Sequence, residues 1–352
     1  MLGSNKITSL LHTKWAGRNT VYKDITGSTN DDAKELAACG ADHGTLVVAD
    51  RQDTGRGSRG RSWETPPGAN IAMSLVVRPN IPVERVPMLT LVMGLSVAEG
   101  ADEAIRETIQ QGAETAGQQG GEAPSCEATS APAGAAGQRG CEDPDCEWAS
   151  VPDEGTCGIK WPNDVVLSGR KICGILTELH MNPDGSIGDV VIGVGINVNM
   201  KHEDFAESIR DVAGSLLTGT GLRVDRSLVV ARVMERFEEN YEKFVSTCDL
   251  SLLKRQYEAR LLNKGRQVIL IDPKRTADIA PRNKVEEKFC KQEADNKPDT
   301  ADAETEGGTP SEEIGTALGI TDLGELKVRL LSGVELQVNS GEVSVRGVYG
   351  YV

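Results

Sequence analysis

Apolar positions in the first third of the chain fall into short β-type runs separated by helical repeats. "GRNTVYKD" (17–24) and "GTLVVAD" (44–50) are short runs that predict strands. Between them, "GSTNDDAKELAACG" predicts a helix. Ser28 or Thr29 can accept the first free backbone N–H groups, acidic residues sit in the first turn, and Gly40 stops it. "GANIAMSLVVRP" (68–79) predicts a strand that ends at Pro79. Residues 86–110 place Leu89, Val92, Met93, Leu95, Ala98, Ala101, Ala104 and Ile105 at helical spacing, which predicts a long helix packed on a sheet.

The pattern then stops. Residues 111–155 are Gly, Ala, Glu, Gln and Pro with almost no aliphatics. Such a stretch cannot bury enough surface to offset its ordering entropy, so disorder is expected. Pattern resumes at "CGIKWPNDVVLSGRKICGILTELHM", read as strand, Pro-Asn-Asp turn and strand. "DVVIGVGINVNM" (189–200) predicts a further strand. Residues 226–247 and 249–261 predict amphipathic helices. From Gly265 onward "RQVILID", "GTALGITDLG", "ELKVRLLSG" and "VELQVNSGEVSVRG" alternate in short strands with Gly turns, as in a small all-β module. A second polar stretch, 272–314, cuts its first strand from the rest.

Charge sharpens this division. The 352 residues carry a formal net charge of −15. Residues 111–157 contribute −8 and residues 272–314 contribute −5, so the remainder is nearly neutral. That balance argues against a general nucleic-acid binder, which needs a basic face. No apolar run approaches the roughly 20 residues of a membrane span. The N-terminus lacks the apolar core and cleavage site of a secretory signal, so a cytoplasmic location is expected. Eight cysteines are scattered without a CxxC pair, and free thiols are the expectation. Cys126, Cys141, Cys146 and Cys157 could ligate zinc only with irregular spacing.

Against a neutral background, "DTGRGSRGRSW" (53–63) stands out. It holds three glycines and three arginines, with Arg51 just before it. Glycines let backbone N–H groups approach a ligand closely, and guanidinium planes bind phosphate or carboxylate oxygens in pairs. The stretch is neither a P-loop nor a dinucleotide fingerprint, because the GxxxxGK[ST] pattern is absent and no helix follows at the right place. Read alone it is either a phosphate-binding loop or a solvated turn. Lys160, in "IKWPND" (159–164), sits between Ile159 and Trp161 and needs an anionic partner if the strand is internal. "GVGIN" (193–197) is either core strand or a floor under a flat ligand. "GSTN" (27–30) is a helix cap that could also hold a small polar ligand.

The order of these segments is more specific than any one of them. GSTN, Gln52, GRGxRGRxW, GAN, KWPND, GRKxxGILxE and GxGxN, in this sequence, resemble the biotin protein ligase family. The likeness covers about residues 15–261, and the β module resembles that family's C-terminal SH3-like domain. It implies an α/β (α+β) fold with a mixed central sheet flanked by helices, class II synthetase-like, over residues 1–262 with the insert 111–156. A small SH3-like β-barrel would follow over 263–352, with the insert 272–314.

The resemblance also implies an activity: ATP-dependent activation of biotin to biotinyl-5′-AMP, then transfer of biotin to a lysine of a biotin carboxyl carrier protein. By similarity Ser28, Thr29, Asn30 and Gln52 hydrogen-bond the ureido ring, and backbone at Arg56, Gly57 and Ser58 closes over biotin. Lys160 contacts its carboxyl end, and Lys160 with Arg56 forms the expected catalytic pair. Arg59, Arg61, Trp63, Asn163 and Asn197 are the expected ATP and adenylate contacts. ATP and biotin are the substrates, and Mg2+ is expected to accompany ATP. A homodimer is compatible with the family, and no membrane partner is expected. No helix-turn-helix is legible, so no DNA partner is expected either. Ser58 stands where the best-known family member carries a further loop arginine, and looser retention of the adenylate is the expectation.

Two alternatives follow from the same residues. A lipoate or octanoate ligase shares the fold but usually shows an RRxxGGGxVxH-type stretch, absent here. A non-enzymatic biotin-sensing regulator would need a DNA-binding domain and a basic surface.

Overall fold

Strand-forming and helix-forming segments sort into a layered α/β body joined to a β module, in a computed structural model that describes residues 2–57, 63–118, 155–271, 312–339 and 344–347. The body is built on seven strands: β1 (Thr20–Thr26), β2 (Leu46–Gln52), β3 (Ile71–Val77), β4 (Gly158–Lys160), β5 (Asp164–Leu167), β6 (Arg170–Met181) and β7 (Ile187–Ile196). Their order across the sheet is β1-β2-β3-β7-β6-β5-β4. β1 and β2 are parallel and the remaining neighbours antiparallel.

Strand alternation decides what each face carries. Leu46 and Val48 of β2 join the main core, whereas Val47 faces Ala33 and Ala37 of α2 (Thr29–Ala38). The main core lies under α3 (Met88–Gln118) and α5 (Arg226–Thr247). These helices approach closely at Gly100, where an added methyl would come within 2.6 Å of the Val233 backbone. Arg232 and Arg236 of α5 pair with Glu107 and Glu103 of α3 across the crossing.

Several boundaries differ from the sequence-based expectation. α3 runs eight residues past 110, because Gln, Ala, Glu and Thr sustain a helix once its buried part has nucleated it. The helix expected over 249–261 is confined to α6 (Lys254–Arg260), with turns before it. An unanticipated α1 (Ser4–Leu10) buries Ile7, and five-residue α4 (Leu216–Thr220) follows β7. Most of both polar inserts, 119–154 and 272–311, lies outside the described residues, as do Cys126, Cys141, Cys146 and Cys290. Among the described residues Cys39, Cys157, Cys173 and Cys248 are free thiols, and no helix is long and apolar enough to cross a membrane.

The β module is a five-stranded antiparallel sheet of β8 (Gln267–Ile271), β9 (Glu312–Ile320), β10 (Leu326–Leu330), β11 (Glu335–Val338) and β12 (Ser344–Gly347), ordered β11-β10-β9-β8-β12. Its buried Val268, Leu270, Ala317, Ile320, Leu326 and Val328 are continuous with the main core. The junction is also polar: the Trp161 indole N–H donates to the Gly324 carbonyl (2.9 Å), and the Tyr257 hydroxyl donates to the Pro162 carbonyl (2.7 Å). Trp161–Pro162 is a cis peptide bond. Through these bonds the module and α6 grip the turn that leads into β5.

Candidate active site

A cleft, open at its mouth, lies on the face of the sheet beside α2. Ser28, Thr29 and Asn30 from the start of α2 line it, with Gln52, Arg56 and Gly57 from the β2 exit and Trp63 beyond the loop. Asp164, Lys171, Gly174, Ile175, Gly193 and Gly195 complete the floor and far wall.

The α2 end is held in an unexpected way. Ser28 is the N-cap, yet its hydroxyl makes no capping bond. Gln52 supplies the cap from the neighbouring strand: its Oε1 accepts from the Thr29 backbone N–H at 2.8 Å and lies 3.1 Å from Thr29 Oγ1. Asn30 is buried, and both ends of its amide are engaged. Its Nδ2 donates to Glu178 (2.6 Å), and its Oδ1 accepts from Ser74 Oγ (2.6 Å). Asn30 is therefore held in the wall by bonds at both ends of its amide.

The glycines of "GVGIN" have a definite use. A methyl on Gly193 would come within 2.0 Å of Asn30 Oδ1, and one on Gly195 within 2.2 Å of Trp63 Nε1. Gly174, the cross-strand partner of Gly195, would meet the same indole at 3.0 Å. The sequence suggested a floor for a flat ligand; in the structure the flat group on that floor is Trp63. Its Nε1 is buried without a hydrogen-bond partner. The loop is closed at its base by a bond from Trp63 N to the Gly55 carbonyl (2.9 Å).

At the far wall stands an ion pair, Lys171 Nζ to Asp164 Oδ1 at 2.6 Å, with the ammonium 5.9 Å from the Trp63 ring centroid. This revises the lysine expected at the site. Lys160 does not line the cleft. It lies on the edge strand β4, one strand beyond Asp164, whereas Lys171 is on the interior strand β6. Lys171 belongs to "GRKxxGILxE", quoted above without a role. The usable signal was its place directly before Ile172, at the start of the apolar run of β6.

Asn163 and Asn197 also stand outside the lining. Asn163 donates to the Ile175 carbonyl (3.0 Å) and ties the β4–β5 turn to β6. Buried Asn197 accepts from Asn70 (2.9 Å) and donates to the Gly214 carbonyl (3.0 Å). Each side chain is spent on structure. Arg56 reaches the rim, pairing with Asp31 and lying 4.0 Å from Glu178. Glu178 also pairs with Lys34 at 2.6 Å. Burial pushes the Glu178 carboxyl up, but hydrogen bonds from Lys34 and Asn30 and the charges of Lys34 and Arg56 outweigh it and hold the group below its ordinary value. Ser58, Arg59 and Arg61 lie outside the described residues.

Comparison with known proteins bears on this arrangement. The Biotin/lipoate A/B protein ligase family matches residues 22–197, half of the chain. The chain belongs to that family. The Biotin protein ligase C terminal domain matches residues 304–346, within the β module. Among curated members, the Bifunctional ligase/repressor BirA of Bacillus spizizenii is 33% identical over 264 residues, 75% of this chain and 66% of that protein. The chain thus spans just under two thirds of that relative. The Biotin--[acetyl-CoA-carboxylase] ligase of Mycobacterium tuberculosis is 29% identical over 245 residues, 69% of this chain and 71% of that one. A biotin protein ligase from Aquifex aeolicus, solved in complex with biotin and ATP, shares the fold with a TM-score of 0.60 at 24% identity. The alignment covers 94% of this chain and 99% of that one. In this biotin/lipoate ligase fold the described cleft sits on the sheet face beside the N-terminus of α2.

Proposed function

We propose that this protein is a biotin protein ligase. The observation that carries the reading is the polarity of the cleft. One end offers the Thr29 and Gln52 polar edge, suited to a small neutral ring with N–H and C=O groups. The other offers the Lys171 ammonium, suited to a carboxylate. A compact cleft of this kind matches a polar-headed acid with an apolar middle against Ile175 and Ala72.

In the first step a carboxylate oxygen of biotin attacks the α-phosphorus of ATP. The bond to the bridging α–β oxygen breaks and pyrophosphate leaves. The carboxylate is already ionised near neutral pH, so no general base is required. The difficulty is bringing two anions together, which positive charge at Lys171 and on the arginine loop relieves. In the second step a neutral lysine amine of a biotin carboxyl carrier protein attacks the carbonyl of the mixed anhydride. The C–O bond to AMP breaks, and the amine proton passes to solvent. On this reading Trp63, seated on Gly174 and Gly195, packs beside the adenine. Mg2+ would enter on the ATP phosphates, mostly through phosphate and water ligands. Among the described residues there is no group of three or more His, Cys, Asp or Glu suited to a metal ion, and Asp164 is the one carboxylate lining the cleft.

The test is pyrophosphate release from ATP with biotin, then with lipoate, by the wild type, Lys171→Ala and Lys160→Ala. Biotin-dependent release lost in Lys171→Ala supports the reading. Lipoate-dependent release moves the chain to the lipoate branch of the family, and release with neither acid overturns both.

A further inference from the structure

Five polar groups run in one line from the rim to the cleft: Glu178, Asn30, Ser74, Thr29 and Gln52. Four successive contacts are 2.6, 2.6, 2.8 and 2.8 Å. Counting protons along this line fixes its direction. An ionised carboxylate only accepts. Asn30 must therefore turn its Nδ2 to Glu178 and its Oδ1 to Ser74. A carbonyl-type oxygen 2.6 Å from Ser74 Oγ requires the serine proton between them. That spends the single Ser74 proton. The 2.8 Å contact between Ser74 Oγ and Thr29 Oγ1 then needs the threonine proton. Gln52 Oε1, 3.1 Å from Thr29 Oγ1, competes for that proton, but the shorter contact takes it, because two unprotonated oxygens facing each other at 2.8 Å in a buried place repel more than at 3.1 Å. Gln52 Oε1 has its donor already, the Thr29 backbone N–H.

We propose that Glu178 is a specificity-determining residue: it orients the Asn30–Ser74–Thr29 chain so that Thr29 Oγ1 faces the cleft as an acceptor only. The ligand group it selects is an N–H donor, and a carbonyl or ether oxygen at the same place is rejected. This deepens the ligase reading and rests on it, because a cyclic urea presents N–H groups at its edge. Glu178 acts through Asn30 and need not touch the ligand. Gly193 belongs to the device, since any side chain there would displace the Asn30 amide.

Glutamine at 178 can donate as well as accept. Asn30 could then flip, Ser74 would donate to Thr29, and Thr29 would turn its proton outward. The experiment is calorimetric titration of the full chain with biotin, together with steady-state pyrophosphate release. Five proteins are compared: wild type, Glu178→Gln, Ser74→Ala, the double variant and Lys34→Ala. Lys34→Ala removes the salt bridge to Glu178 but leaves the Glu178–Asn30 bond. Glu178→Gln and Ser74→Ala are each expected to weaken biotin binding about 10-fold or more. The double variant should be no worse than the weaker single, because both break one chain. KM for ATP should stay within about twofold in each, and Lys34→Ala should bind biotin nearly as the wild type does. Unchanged biotin affinity in Glu178→Gln overturns the proposal, as do additive losses or an equal loss in Lys34→Ala. A wild type that does not bind biotin overturns the ligase reading itself, and this inference with it.

Discussion

Lys171 and Asp164 form an ion pair at 2.6 Å on the wall of the cleft, and both side chains are about three-quarters buried. A largely desolvated ammonium held by one carboxylate is a ready partner for a second anion, because the low local dielectric strengthens its field. Lys171→Ala should lower biotin-dependent pyrophosphate release by about 10²–10³-fold, the usual loss when one charge-stabilising donor is removed. Lys160→Ala, one strand further out, should cost far less. Equal losses would show that the ammonium at the reacting carboxylate is not Lys171 alone.

Trp63 and Gly195 make the next test. The indole nitrogen occupies the space a methyl on Gly195 would need. Gly195→Ala must lift the ring, since neither β6 nor β7 can shift without breaking its ladder. We expect red-shifted tryptophan emission and a KM for ATP raised about 10-fold, with KM for biotin much less affected. If emission and both constants stay as in the wild type, the ring is not seated on the glycines.

Ser58 bears on retention of the intermediate. Serine at 58 brings no positive charge to the adenylate phosphate. Ser58→Arg should slow dissociation of biotinyl-5′-AMP by about 10-fold, the scale of one charge-assisted hydrogen bond. Dissociation rates that do not differ, measured by filter binding after single turnover, would refute the idea.

Much of this organisation was legible because it is local. Ile71–Val77 and Ile187–Ile196 are apolar, β-branched runs, and α5 matches residues 226–247 because its apolar spacing and its Asp225 cap both point to the same boundary. What escaped the sequence depends on partners far along the chain. Thr29 is capped by Gln52, 23 residues on, and Asn30 is claimed by Glu178, 148 residues on. No spacing rule encodes such pairs. The two lysines show the same limit: both flank apolar strands, and only the folded cleft, lined by Lys171, separates them.

The Glu178 carboxylate also makes a pH prediction. Its pKa in the folded protein is lowered, so the folded state holds the ionised form more tightly than the unfolded chain does. The stabilisation is full above the ordinary carboxylate value of 4.5 and is lost as pH falls through the lower folded value. Thermal midpoints should therefore fall more steeply below about pH 4.5 in the wild type than in Glu178→Gln. Parallel curves would mean that the bonds to Lys34 and Asn30 add no net stability.

The β4–β5 turn is gripped by Tyr257. Tyr257 is fully buried and its hydroxyl donates to the Pro162 carbonyl at 2.7 Å. Burial also pushes its phenol pKa up, so it is a neutral donor at any working pH. Tyr257→Phe removes that donor without opening a large cavity and leaves the half-buried Pro162 carbonyl without it. The expected cost is about 1–3 kcal/mol in denaturant unfolding. Asp164 lies two residues beyond Pro162, so a loosened turn also loosens the partner of Lys171. The adenylation rate should then fall a few-fold while KM for biotin stays nearly constant, as small misplacements of a reacting group cost rate before binding. A stability loss with an unchanged rate would show that the turn holds the fold together but does not position Lys171.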